Sequence, residues 1–170
     1  MNPVVQALID RYGLTPLPVE GTLFAQTHRS AEELAPGQPV GTVMIGLYCE
    51  KPHSLSLFHR LTLDEVWHFY GGDPMRLILL RPDGTSEDVI LGPDPLAGHR
   101  VQYAVPAGVW QAGHLVEGGR YSLYGCTMAP GWFPGCFEGG TREVLLKSHP
   151  GRIHDIDRLA CPDDTIHMPA

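Results

Sequence analysis

The sequence predicts an all-β protein, an antiparallel β-barrel or sandwich of the jelly-roll type, with short helices flanking it at both ends. About nine short apolar segments follow one another at even spacing, and each is bounded by a turn. The 20 glycines and 16 prolines are spread through those turns, as the corners of a barrel require. We see no repeat and no linker, so we predict one domain over residues 1–170 with its barrel at about 18–130.

Helical spacing of apolar residues occurs only near the termini. In the first segment, over 3–12, it involves Val4, Val5, Leu8, Ile9 and Tyr12. Pro3 suits a first helical turn and Gly13 suits a helix end. We also predict a C-terminal segment over 141–160, with a helix capped by Thr141, a weaker element at 153–159 and a frayed tail.

The segments between the termini alternate or run apolar over lengths typical of strands. We predict strands at 22–28, 40–49, 75–81, 86–91, 101–105, 109–115 and 121–128, and two more short strands within 56–72. The two strands within 56–72 are separated by a bend near Thr62 and Leu63. The irregular segment 130–137 is aromatic, and we expect it to cover the barrel mouth as a lid.

Composition excludes several classes of partner. The net charge is −7 and no basic run occurs, which argues against nucleic acid or an anionic membrane as a partner. There is no signal-like or transmembrane apolar run, so we expect a cytoplasmic protein. The four cysteines, which we expect to be free thiols in that compartment, form no close pair. They are Cys49, Cys126, Cys136 and Cys161.

The stretch 56–72 carries the strongest signal for a functional site. If its bend preserves the alternation, one strand face carries Leu55, Leu57, His59, Leu61, Glu65, Trp67 and Phe69. His59 and Glu65 would then interrupt an apolar row that faces the interior. Burying a base and an acid is costly unless they are paired or bind a ligand. We therefore predict that His59 and Glu65 form a site.

The same stretch resembles the first motif of the cupin superfamily, a histidine, a second histidine two residues later, a glutamate and a glycine. His59, Glu65 and Gly72 match, whereas Leu61 replaces the second histidine. The second motif is similar to the run from Pro106 to Gly108, but Gln111 stands at its histidine and Leu115 at its asparagine.

More closely, the chain resembles the cupin-5 group of RmlC-like cupins, a family of unknown function. The matching runs lie at 18–24, 59–74, 91–94, 105–110 and 125–131. The resemblance implies a cupin jelly-roll barrel and a homodimer.

A metal cupin presents three histidines and a glutamate. Only His59 and Glu65 remain here, with the weak ligand Gln111 beside them. We therefore favour no cofactor and keep a divalent metal on His59, Glu65 and Gln111 as the alternative. By alternation, His68 and His114 should point away from the pocket, and Arg60 should face outward from His59.

The sequence thus predicts a small-molecule pocket in which His59 is a catalytic base and Glu65 its partner. We expect substrate contacts from Gln102, Gln111, Trp67, Trp110, Phe69 and Tyr103. Resemblance to RmlC-like epimerases suggests metal-independent isomerase, epimerase or lyase chemistry on a sugar or nucleotide derivative. The alternatives are a non-catalytic binding module using the same pocket and a metal-dependent, dioxygenase-like cupin.

Overall fold

The computed structural model of the protein describes residues 2–169 and consists of two antiparallel sheets that face each other. Strands account for 43% of the chain and helices for 20%, which confirms the predicted all-β class with short terminal helices. Every pairing between named strands in the described range is antiparallel.

The first sheet has six strands. In spatial order they are β1 (Thr15–Pro16), β2 (Leu23–Arg29), β5 (Thr42–Cys49), β12 (Tyr121–Met128), β7 (Glu65–Gly72) and β10 (Gln102–Val105).

The second sheet has five strands. In spatial order they are β13 (Phe137–Gly139), β6 (Ser56–Leu61), β11 (Trp110–Leu115), β8 (Met75–Leu80) and β9 (Ser86–Leu91). A small separate hairpin pairs β3 (Glu33–Ala35) with β4 (Gln38–Pro39).

All nine predicted strands are confirmed, with bounds that move by at most about two residues. The strands that sequence reasoning missed are β1, β3, β4 and β13. Each has only two or three residues, which is too short to show an alternating pattern.

The core between the two sheets contains two large aromatic side chains that pack directly against the backbone of neighbouring strands. Tyr48 and Tyr124 are fully buried there, with ring centroids 4.6 Å apart. A Cβ on Gly46 would lie 2.3 Å from the Tyr124 ring, and a Cβ on Gly113 would lie 2.4 Å from the Tyr48 hydroxyl. Glycine at these two positions therefore makes room for both tyrosines.

Helices cover the outer faces of both sheets. Helix α1 (Pro3–Tyr12), capped by Asn2 and Gly13, packs Val5 onto the first sheet. Helices α2 (Arg142–Ser148), capped by Thr141, and α3 (Ile153–Leu159) cover the second sheet. The predicted terminal helices are thus confirmed. Within residues 2–169 no helix is both long and apolar enough to span a membrane.

The expectation of a frayed C-terminus is wrong. Cys161 forms a bridge with Thr141, and the Gly139 amide donates to the Ile166 carbonyl at 2.7 Å. Met168 is buried against the barrel rim in a cluster that includes Leu61. The tail is held by backbone pairing and by one apolar anchor.

Candidate functional site

A small cavity lies between the two sheets, at the point where His59 and Glu65 face inward. Its volume is about 60 Å³. Two carboxyl groups and one imidazole line it, those of Glu20, Glu65 and His59. Its aromatic lining residues are Phe24, Trp67, Tyr124, Trp132 and Phe137. The structure therefore brings His59 and Glu65 to one cavity, and it adds a second carboxyl group, that of Glu20.

The imidazole of His59 is held in one orientation. It projects from β6, is 2% exposed and stacks on Phe137 with ring centroids 5.2 Å apart. Its Nδ1 lies 2.8 Å from the Leu57 carbonyl oxygen. Because a carbonyl oxygen only accepts hydrogen bonds, Nδ1 must carry the proton. In the neutral ring, Nε2 is then left with a lone pair, 3.8 Å from Oε2 of Glu20.

Glu20 reaches His59 from the turn between β1 and β2. Its carbonyl accepts the Leu57 amide at 2.9 Å, so the backbone of Leu57 is bonded to both Glu20 and His59. Val19, just before Glu20, has a φ of 65°, a strained conformation for a β-branched residue. The tight turn that contains Val19 directs the Glu20 carboxyl inward.

A buried chain of hydroxyl groups supports the Glu20 carboxylate from behind. The Tyr48 hydroxyl donates to Ser56 Oγ at 2.6 Å. Ser56 Oγ in turn donates to Glu20 Oε1 at 2.5 Å. This chain of donors occupies Oε1 of Glu20 and leaves Oε2 facing His59.

Glu65 is held from the opposite side by a glutamine. Gln111 Nε2 donates to Glu65 Oε2 at 2.8 Å, and the Trp67 indole N–H donates to Gln111 Oε1 at 2.8 Å. Burial raises the pKa of Glu65; the nearby His59 lowers it and the negative charge of Glu20 raises it. The net direction is upward, so this site favours the neutral acid more than water does.

The acid that faces His59 is thus Glu20, and the predicted partnership of His59 with Glu65 is corrected. Glu65 lines the same cavity, but its hydrogen-bond partner is Gln111. Sequence reasoning missed Glu20, although a signal was present in the Pro18-Val19-Glu20-Gly21 run. An acid in a proline–glycine turn ordinarily indicates a solvated loop, and only the fold brings this turn beside β6.

A β-bulge in β6 breaks the predicted inward row. Gln111 pairs with His59 and Gly113 pairs with Ser56, so β6 holds one more residue than β11 between the two pairs. The bulge puts Ser56 on the inner face with His59. Leu55, which we predicted to lie in that row, instead packs on the outer side of the sheet.

Two predicted substrate contacts lie on the outer faces of the sheets, away from the cavity. Trp110 packs beneath the C-terminal helices with the Arg60 guanidinium 4.5 Å from its ring. It must face outward because its neighbour Gln111 faces inward. Gln102 is exposed and lies 3.0 Å from His68 Nδ1. The placement of both residues at the pocket is therefore corrected.

Of the other four predicted substrate contacts, one lines the cavity, two pack elsewhere in the core and one positions Glu65. Trp67 lines the cavity and stacks on Tyr124 with centroids 5.0 Å apart. Phe69 and Tyr103 pack against the interior core at other depths and do not line the cavity. Gln111 is 1% exposed, and both ends of its amide are engaged. It positions Glu65 and is not available to a substrate.

The residues predicted to point outward do so. His68 contacts Thr127 at 2.9 Å on the outer face of the first sheet. His114 lines a separate groove. Arg60 forms an ion pair with Glu138 at 2.8 Å. Strand alternation is sufficient to place these three side chains.

The segment from Pro130 to Phe137 contributes two walls of the cavity. Trp132 and Phe137 line it, and the Trp132 amide donates to Thr42 Oγ1 at 2.9 Å. All four cysteines are free and buried, as expected. Burial raises the pKa of the Cys49 and Cys161 thiols to about 11, which keeps both thiols protonated and unreactive.

The side chains present do not fit the ligand set of a metal cupin. Leu61 stands at one histidine position, and the Gln111 amide oxygen already accepts the Trp67 N–H. Across residues 2–169, no three His, Cys, Asp or Glu side chains are grouped so that they could hold a metal ion. The donor chemistry of this cavity is that of two carboxyl groups and one imidazole.

Comparison with solved structures gives two similar proteins that match over nearly their full length. A protein from Shewanella oneidensis is 30% identical, with a TM-score of 0.85, over 93% of this chain and 98% of that one. A hypothetical protein from Leishmania major is 28% identical, with a TM-score of 0.81, over 91% of this chain and 97% of that one.

Oxalate decarboxylase from Bacillus subtilis matches at 12% identity with a TM-score of 0.54, over 92% of this chain and 40% of that one. This likeness is one of fold alone. A search of curated proteins gives no match. The family model described as Cupin superfamily (DUF985), Cupin_5, matches residues 6–139. With its jelly-roll sheets and its match over most of its length, the chain belongs to the Cupin_5 (DUF985) family of the cupin superfamily.

Proposed function

We propose that this cavity binds a small polar molecule and that His59 moves a proton on it, as the base of a metal-independent isomerase or lyase. The observation that carries the proposal is the orientation of the imidazole. Nδ1 is fixed by the Leu57 carbonyl, and Nε2 faces the cavity 3.8 Å from Glu20. A fixed imidazole with a free lone pair is suited to general-base work near neutral pH.

The two carboxyl groups suit different tasks. Glu20 accepts from Ser56 and faces His59, so it would stabilise an imidazolium formed by proton abstraction. The raised pKa of Glu65 makes it the better proton donor to a developing negative charge on the substrate. Two carboxyl groups in unlike environments thus supply one acid and one charge-stabilising group.

The size of the cavity limits the substrate. A volume of about 60 Å³ is well below the roughly 300–1,000 Å³ of pockets that hold drug-sized ligands. We therefore propose a substrate of a few heavy atoms, in place of the sugar or nucleotide derivative expected from sequence.

The test is proton exchange at carbon, which requires no knowledge of the net reaction. Small carbonyl and amino-carbonyl compounds are incubated with the protein in D₂O, and loss of their C–H signals is followed by NMR. We expect exchange with the wild type and a loss of at least about 100-fold in His59→Gln. The matched control is His68→Gln, because His68 lies on the outer face.

Exchange that persists in His59→Gln would overturn the assignment of the base. Ligand binding to the wild type without any exchange would instead support a non-catalytic binding module. Equal loss in His59→Gln and His68→Gln would indicate damage to the barrel, and thermal melts of the two variants identify that case.

A further inference from the structure

The charged groups in the cavity are unbalanced. Its lining residues include Glu20 and Glu65 but, among residues 2–169, no lysine or arginine. Both glutamates are buried, each 8% exposed. Ser56 and Gln111, which donate to them, are neutral. Even a protonated His59 would balance only one carboxylate, so ionising Glu65 as well as Glu20 would leave a net negative charge in the cavity.

Buried carboxylates without a cationic partner are costly, because desolvation penalises the charged form. At Glu65, burial raises the pKa of the carboxyl group, and repulsion from Glu20 raises it further. A positive charge entering the cavity would relieve that repulsion. A negative charge would instead lie close to Glu20 in a medium of low dielectric constant and would oppose the ionisation of Glu65 further.

The aromatic walls of the cavity also favour a positively charged ligand. Five aromatic side chains line the cavity, among them Trp67, Tyr124 and Trp132. Aromatic faces are electron-rich and attract ammonium and guanidinium-like groups. Combined with the two carboxyl groups, these rings resemble the surroundings in which proteins hold small organic cations.

A second feature of the cavity, independent of its carboxyl groups, indicates a ligand. His59 is nine-tenths buried or more, lines the cavity, and its Nε2 makes no hydrogen bond with any of the residues described. This nitrogen faces the cavity, 3.8 Å from Glu20 Oε2, and is open to a donor on a ligand. A ligand N–H group could donate to this nitrogen while its charge faces Glu20.

We propose that the cavity selects a small organic cation, an ammonium or amidinium compound of a few heavy atoms, and excludes carboxylates and phosphates. This inference deepens the proposed function and rests on it for the location of the ligand. To that proposed function it adds the sign of the substrate's charge, which is positive.

The test uses three probes of nearly equal shape and different charge: acetamidinium, acetamide and acetate. Each is titrated into the ¹⁵N-labelled full-length protein at constant ionic strength and neutral pH, and amide shifts near His59 are followed. We expect acetamidinium to bind at least about tenfold more tightly than acetate, with acetamide between them.

Glu20→Gln should reduce the preference for acetamidinium over acetate by about tenfold, because it removes the carboxyl group that faces His59. Glu117→Gln is the matched control, since it changes the net charge equally from an exposed turn outside the cavity. Glu65→Gln repeats the test from the other side, in case Glu20→Gln does not fold.

Acetate binding as tightly as acetamidinium would overturn the inference, as would a preference that neither glutamine variant changes. Absence of shifts near His59 with all three probes would overturn it too. The outcome is separable from that of the proposed function. A cation preference without proton exchange at carbon would leave cation selection standing and would refute catalysis by His59.

Discussion

Replacing Gln111 with leucine tests how Glu65 is held. The change removes two buried hydrogen bonds, leaving the Trp67 N–H and Glu65 Oε2 without partners. An unsatisfied buried group costs about 1–3 kcal/mol, and more when it is charged. We therefore expect Gln111→Leu to lower the free energy of unfolding by about 2–5 kcal/mol. At this chain length that lowers Tm by roughly 5–20 °C.

The loss of unfolding free energy in Gln111→Leu should also depend on pH. The Gln111 hydrogen bond lowers the pKa of Glu65, against the upward effect of burial. Losing it penalises the carboxylate more than the neutral acid, so destabilisation should be larger near pH 7 than near pH 4.

Urea denaturation at the two pH values measures the effect, with Gln102→Leu as the matched control. Gln102 is exposed on the outer face, so its replacement should change stability by less than about 0.5 kcal/mol. If Gln111→Leu cost under about 1 kcal/mol, or cost the same at both pH values, the reasoning about Glu65 would be refuted.

Three further changes test other parts of the structure. Gly46→Ala places a Cβ 2.3 Å from the fully buried Tyr124 ring and should cost about 2–3 kcal/mol of stability by thermal denaturation. Because the pKa of Glu65 is raised above its usual 4.5, the folded state binds the extra proton. The contribution of Glu65 to the free energy of unfolding is therefore complete below pH 4.5, and it declines as the pH rises through the pKa that Glu65 has in the folded state. Glu65→Gln should therefore remove this decline and be relatively more stable than the wild type at pH 7. The double variant Leu61→His with Gln111→His should gain micromolar or tighter Ni²⁺ binding by calorimetry, because it restores two imidazole ligands beside His59.

For each of these three predictions, a particular outcome would contradict it. Gly41→Ala is the control for Gly46→Ala, since its Cβ would meet only ordinary contacts at 3.5 Å; equal destabilisation would rule out the steric explanation. A pH profile of Glu65→Gln that parallels the wild type would show that Glu65 does not titrate as described. A double variant that folds and binds no Ni²⁺ would place Leu61 or Gln111 off the shared face.

Much of the fold could be predicted because strand alternation and glycine–proline turns are local signals. They located nine strands and the bend between β6 and β7, and they placed His59 and Glu65 on one inner face. The homodimer and the cytoplasmic location rest on resemblance and composition, and they stay predictions. Sedimentation of the purified chain would check the first.

The parts of the site that were missed depend on non-local geometry. A single extra residue in β6 changes which side chains face inward, so Ser56 joins the cavity side. Trp110 was misplaced because an aromatic residue is equally compatible with a pocket wall and with a helix-covered outer face. Glu20 was missed because its turn meets β6 only through tertiary contacts, among them the hydrogen bonds from the Leu57 amide and from Ser56 Oγ.

The tautomer of His59 tests the central claim most directly, because the whole proposal depends on a lone pair at Nε2. A long-range ¹H–¹⁵N NMR correlation spectrum at about pH 8 distinguishes the two neutral tautomers, and the spectrum of His59→Gln assigns the signal. We expect the proton on Nδ1, where the Leu57 carbonyl lies 2.8 Å away, with Nε2 unprotonated toward Glu20. A neutral His59 protonated on Nε2 would contradict the account, since no base would then face the cavity.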